Sequence, residues 1–212
     1  MDIKKEALRY MGCGGNAPDE VTASLLDKAY NALCKDAAPK YCYKLTDRES
    51  AAHLLLGKDI NEHIGSCEHV VIFAATLGAE TDRLIRTAEI SNMASVVILD
   101  AAASAFTEDF CDKTENEIKN AVPGSFTWRY SPGYGDYPIS VQRELIRFLN
   151  ADKLIGLTAT ESDILVPRKS VTAVIGVSES AEIQPGKKRG CGSCDMREKC
   201  LYRKGNTYCG KA

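Results

Sequence analysis

The sequence predicts an α+β domain in which helices flank an antiparallel sheet, and three observations predict it. Helix-like and strand-like segments do not alternate regularly, as they would in a doubly wound parallel sheet. Two apolar, β-branched runs, "ILVP" and "VTAVIGV", lie on either side of "PRKS", as two strands with a turn between them. From about Asn92 to about Lys119 there is neither glycine nor proline, so one long helix is expected there.

The elements follow in order. "IKKEALRYMG" is helical up to the "GCGG" breaker. "APDEVTASLLDKAYNALCKD" is a second helix, with Pro18, Asp19 and Glu20 about its first turn. Its expected apolar face is Val21, Leu25, Leu26, Ala29 and Leu33. "KYCYKL" reads as a short strand, and "GKDINEHIGSC" as a short helix ending at Gly65. "EHVVIFAATLG" is a buried strand leading into the helix "AETDRLIRTAEI".

In the long helix, Asp100, Ser104, Glu108 and Asp112 recur every four residues and form a slowly drifting polar stripe. Charges at that spacing ordinarily face solvent. Asp100, however, lies between "VVIL" and "AAA", where an unpaired carboxylate is costly, so it is expected to face water, a partner or a cationic ligand. Pro138 is placed to open the helix "ISVQRELIRFLNA". "SESAEIQPGKKRG" has the composition of a linker. The expected division is a helical segment over 1–45, a core over 46–182, and a linker with a cysteine-rich tail over 183–212.

With 44% hydrophobic and 26% charged residues, the 212-residue chain has the composition of a soluble globular protein. Its net charge of −2 argues against nucleic acid as the main partner. No apolar run has membrane-spanning length, and the N-terminal residues lack the apolar stretch of a secretory signal. A cytoplasmic location is expected. His53, His63 and His69 show no metal or triad spacing.

The nine cysteines form two groups. Cys13, Cys34, Cys42, Cys67 and Cys111 are scattered and read mostly as small packing residues. Cys191, Cys194, Cys200 and Cys209 have the spacing C-x2-C-x5-C-x8-C, which in a reducing compartment reads as a metal or cluster site before it reads as disulfides. Structural zinc and a [4Fe–4S] cluster both suit four thiolates. The tail is also basic, which suits an acidic electron carrier.

"RYSPGYGDYP", residues 129–138, cannot continue a helix and reads as a shaped loop. Followed about 20 residues later by "LTATESDILVPRKSVTAVIG", it resembles the activation domain of cobalamin-dependent methionine synthase. That family carries Arg-x-x-Pro-Gly-Tyr, then Leu-Thr-Glu-Ser, then Pro-x-x-Ser-Val-Ser. Here the first is Arg129, Pro132, Gly133 and Tyr134, the middle has two extra residues, and the last is Pro167, Ser170, Val171 and Thr172. "DAAASAFTEDF" resembles the family helix that supplies an acidic residue, and the likeness spans roughly residues 65–180. The N-terminal stretch resembles the leader of short, free-standing members. The sequence departs from fused members in carrying Val174 and Ile175 in place of aromatic residues, and "YPIS" in place of Cys-Pro-x-His.

The resemblance implies S-adenosylmethionine bound in a shallow groove by the loop residues Arg129, Ser131, Pro132, Gly133 and Tyr134. It implies that Arg129 pairs with the cofactor's carboxylate and that Tyr134 packs on or hydrogen-bonds to it. An acidic residue beside the sulfonium is implied too, with Glu108 the positional match and Asp100 next. The implied function is reductive reactivation of a cobalamin-dependent methyltransferase, either methionine synthase or a related corrinoid enzyme. Cob(II) takes up one electron, from a flavodoxin or ferredoxin, and the resulting cob(I) takes the methyl group as S-adenosylhomocysteine leaves. In-line methyl transfer needs no general base, so no side chain is assigned a catalytic role. Two other classes fit parts of the sequence: a non-catalytic adaptor docking the cobalamin domain, and a metal-ribbon protein binding nucleic acid through the basic tail.

Overall fold

The computed structural model describes residues 2–13 and 17–179. Helix α1 (Ile3–Tyr10) starts at Asp2, whose side chain accepts a hydrogen bond from the Lys5 amide at 3.1 Å. Helix α2 (Glu20–Asp36) starts at Asp19 in the same way, with the Thr22 amide at 2.7 Å, so Pro18 stands just outside the helix. Its buried stripe is Leu26, Ala29 and Leu33. Val21, expected on that face, is 71% exposed. Five residues before Leu26, it is turned roughly 140° away from it at about 100° per residue.

Strand β1 (Lys40–Asp47) is followed by a 3-10 turn, Ala52–Leu54, and by α3 (Lys58–Ile64), which Gly65 closes. Strand β2 (His69–Thr76) leads into α4 (Ala79–Ser91). Asn92 alone separates α4 from α5 (Met93–Ala121), and it caps α5 through the Ala94 amide at 2.8 Å. Strand β3 is Ser125–Phe126. After the 129–138 loop, α6 (Val141–Leu149) begins three residues later than Pro138, which instead opens a turn by accepting from the Val141 amide. Left-handed Asn150 ends α6 and separates it from α7 (Ala151–Ile155), a short helix beyond the one expected over 139–151. Strands β4 (Thr158–Ala159), β5 (Leu165–Val166) and β6 (Ser170–Ser178) complete the order.

The main sheet is antiparallel, in the order β1-β2-β6-β3. β5 pairs with β4 in a separate ribbon, so the "PRKS" turn connects two sheets and does not close a hairpin. β1 straddles the 45/46 boundary and pairs with β2 along its whole length.

β2 is buried on both faces, which explains its unbroken apolar sequence. Val70, Ile72 and Ala74, with Val174, pack against Ile60, Ile64, Leu145 and Leu149. Val71, Phe73 and Ala75, with Ile175, pack against Cys111 and Ile118 of α5. Val174 and Ile175 are therefore fully buried packing residues on opposite faces of β6. The first half of α5 forms a third cluster with α1, α2 and α4 through its alanines, Leu26, Leu33 and Ile85. One 29-residue helix thus joins the helical layer to the sheet. No helix among the described residues is long and apolar enough to cross a membrane.

Cys67 and Cys111 are buried, as packing residues should be, whereas Cys34 is exposed. Burial pushes the Cys111 thiol up to about 12, against the pull of Arg129. In the native protein at pH 8, Cys111 is expected to stay unmodified by iodoacetamide, and to react once urea unfolds the chain. Peptide mass spectrometry reads both states. Alkylation of Cys111 without unfolding would contradict its burial.

Candidate functional site

Glu108, Asp112 and Glu115 occupy positions i, i+4 and i+7 of α5 and so share one face. Opposite them runs the segment leading out of β3, held to β6 by the Thr127 amide on the Gly176 carbonyl and by mutual 2.8 Å bonds between Tyr130 and Val174. Because side chains alternate along extended backbone, Tyr130 enters the core beneath the sheet and Arg129 turns toward α5. Arg129 Nη1 donates to Glu115 at 2.6 Å, and Nη2 donates to Glu108 at 2.7 Å and Asp112 at 3.0 Å. The side-chain exposures are 5% for Arg129, 11% for Glu115, 31% for Asp112 and 40% for Glu108. Lys119 adds a second cation on Glu115, at 2.6 Å. Burial acts to lower the Arg129 pKa, but the neighbouring charges, with those of Glu108 and Glu115 among them, and the hydrogen bond to Glu115 outweigh it and the net shift is upward.

The 129–138 loop is built by its own backbone and anchored from below. The Tyr134 amide donates to Ser131 O, and the Gly133 amide donates to Tyr137 O at 2.8 Å. Gly133 has φ +91°, a conformation that a side chain disfavours. The Asp136 carboxylate accepts from the Lys58 and Asp59 amides at 2.7 and 2.9 Å, capping α3 from 77 or more residues away. Asp59 returns a bond from the Asp136 amide at 3.2 Å. The buried Tyr137 hydroxyl donates to Leu54 O at 2.9 Å, and burial pushes its phenol pKa up.

Above this anchor lies a groove of about 200 Å³. One wall is Ser131, Pro132 and Tyr134, and the other is Leu165, Ser170, Val171 and Thr172; Glu108, Arg129 and Gln142 complete the lining. The fold thus brings the two sequence segments and the α5 carboxylate to one place. Gly133 shapes the loop without lining the groove, and Asp100 does not line it either. Asp100 is paired with Lys169 at 2.9 Å, and Lys169 also donates to Ser104 at 2.9 Å. The polar stripe of α5 is therefore a line of partners for two cations, Lys169 and Arg129. The tail cysteines Cys191, Cys194, Cys200 and Cys209 lie outside the described residues.

Leu165, Ser170, Val171 and Thr172 line the groove although the sequence reading assigned none of them to it, and Glu115 beside Arg129 and Gln142 in the lining were not expected at all. Glu115 continues the acidic stripe by three residues, and that continuation was the available signal. Gln142 interrupts the buried stripe of α6 formed by Val141, Leu145, Ile146 and Leu149, and a polar residue there needs partners. It has them, accepting from Thr172 at 3.3 Å and donating to the Asp163 carbonyl.

No family model and no curated protein matches the chain. Among solved structures it is similar to the MetH reactivation domain in its crystal structure bound to AdoHcy, with a TM-score of 0.54 and 16% sequence identity. The likeness covers 91% of this chain and 75% of that one. An antiparallel sheet flanked by helices is thus the predicted architecture and the observed one, and the chain has the fold of the MetH reactivation domain.

Proposed function

We propose that the groove between the 129–134 loop and the 165–172 segment binds S-adenosylmethionine, and that the chain is the reactivation module of a cobalamin-dependent methyltransferase. The convergence of both segments and Glu108 on one groove supports this reading most directly, in a fold shared with a reactivation domain bound to AdoHcy. When bound, S-adenosylmethionine supplies an electrophilic methyl group, which a reduced corrinoid on the partner protein accepts. This chain's residues bind and orient. Tyr134, 54% exposed and packed edge-on to Tyr130 with ring centroids 5.7 Å apart, offers an aromatic surface at the rim. Ser131, Ser170 and Thr172 offer hydroxyls, and Glu108 offers a carboxylate toward a cation. The corrinoid partner is methionine synthase or a related corrinoid methyltransferase, with a flavodoxin or ferredoxin as electron source.

The test is anaerobic. The chain is mixed with a corrinoid methyltransferase in the cob(II) state, a reductant and S-adenosylmethionine. Loss of the cob(II) spectrum with stoichiometric methylcobalamin and S-adenosylhomocysteine is expected. Unchanged cob(II), with a partner that remains active in its own methyl transfer, would overturn the reading.

We further propose that Cys191, Cys194, Cys200 and Cys209 hold one metal centre, since four thiolates at this spacing suit either zinc or a [4Fe–4S] cluster. An anaerobic absorbance spectrum, with iron and zinc assayed on the same sample, distinguishes them. A broad visible shoulder with excess iron assigns a redox centre, whereas a colourless protein with one zinc assigns a structural one. Neither metal at stoichiometric level would remove the site.

A further inference from the structure

We infer that the groove wall carrying Ser170 and Thr172 binds the uncharged nucleoside end of the ligand, and that it does so by accepting protons from it. The inference rests on the reading of the groove as an S-adenosylmethionine site. Ser170 and Thr172 are two residues apart on β6, so their side chains share one face, and both residues line the groove. With Leu165, Val171 and Gln142 beside them, this part of the lining carries no charge. It suits neutral ligand groups.

A hydroxyl has one proton to give and two lone pairs to receive with. The bonds around each hydroxyl decide where its proton goes. Gln142, 7% exposed, donates from Nε2 to the Asp163 carbonyl. A carbonyl only accepts, so the orientation of the Gln142 amide is fixed. Its Oε1 therefore faces Thr172 Oγ1, 3.3 Å away, and of those two atoms only the threonine hydroxyl can donate. Ser170 Oγ lies 2.6 Å from the Pro167 carbonyl and 2.8 Å from Thr76 Oγ1, and either of them takes its one proton. Both protons are thus committed inside the protein, leaving lone pairs for a ligand. Turning one of them toward a ligand acceptor would break a bond already made, and Thr172 is only 1% exposed. A ligand donor meets no such obstacle. S-adenosylmethionine has two kinds of neutral donor, the ribose hydroxyls and the exocyclic amine of the base.

The experiment is isothermal titration of the full chain with S-adenosylmethionine, S-adenosylhomocysteine and three analogues of the latter. Two lack one ribose hydroxyl each, and the third, S-inosylhomocysteine, has a carbonyl in place of the amine. The titrations are repeated on Thr172→Val and Ser170→Ala, which remove one acceptor each, and on Thr172→Ser, which keeps the hydroxyl. Wild type is expected to bind at least one analogue tenfold or more weakly than S-adenosylhomocysteine. A deoxy compound identifies the ribose as the donor, and the inosyl compound identifies the base. At least one acceptor-deleting variant is expected to bring that ratio within threefold, and Thr172→Ser to keep it. The ratio compares two ligands on one protein, so a partly unfolded sample leaves it unchanged. All three analogues within threefold of S-adenosylhomocysteine on wild type would overturn the inference, with the binding site itself standing. A ratio undiminished in both Thr172→Val and Ser170→Ala would also overturn it, since the donor would then be read elsewhere. If wild type binds neither S-adenosylmethionine nor S-adenosylhomocysteine, the reading of the groove fails, and the inference with it.

Discussion

Replacing Arg129 with methionine is expected to lower the folding free energy by about 3–5 kcal/mol, the usual cost of removing one partner from a buried ion cluster. The guanidinium is 5% exposed, and without it Glu108, Asp112 and Glu115 lose the cation that all three share. Methionine fills much of the same volume, so the loss comes mainly from uncompensated charge rather than from a cavity. Urea titration at pH 7 measures it. Adding Glu115→Gln to the same chain is expected to restore part of the loss, because it removes one of the stranded charges. A loss below about 1 kcal/mol would place the cluster in the class of solvated surface pairs and contradict its burial.

The second large effect is expected at Gly135. This residue has φ +53°, and a Cβ there would collide with the Asp59 carboxylate and lie 2.9 Å from the Tyr130 hydroxyl. Gly135→Ala combines left-handed strain with overpacking, together about 2–4 kcal/mol. It also pushes apart Asp59 and the Asp136 amide, one of the bonds tying the loop to α3. S-adenosylmethionine affinity is therefore expected to fall at least tenfold in the fraction that remains folded, with calorimetry and urea titration on the same sample separating the two effects. Full affinity in a destabilised variant would show that the groove does not depend on this anchor.

How far the sequence could be read follows the range of the interactions. The caps Asp2, Asp19, Asn92 and Gly65 lie within a few residues of the helix ends they set, so helix positions were legible. β2 was legible from its continuous apolar run. β5 was read as a strand within "ILVP", but its partner β4 was not, because that strand has two residues and little periodicity. The face of α2 was misjudged at Val21, since a stripe read from composition does not show which edge meets a neighbour. At the groove, the 129–138 segment was legible as a shaped loop and "PRKS" as a turn between strands, and the acidic stripe of α5 was visible. Its partners were not. Arg129 lies 14 to 21 residues from the carboxylates it gathers, and Asp136 caps a helix 77 and 78 residues upstream. Only the folded sheet brings those distances together.

The anchoring of the loop on α3 gives the groove a remote reporter. The amides of Lys58 and Asp59 belong to a helix that lines no part of the groove, yet their acceptor is Asp136, four residues past Pro132 in the groove wall. A ligand that tightened the loop would alter those two bonds first among the contacts described between the loop and α3. In a two-dimensional NMR titration, the Lys58 and Asp59 cross-peaks would move with occupancy and exchange their protons more slowly, while the next amides along the helix stay still. Filling of the groove becomes visible without a label on the ligand and without a signal from the groove itself.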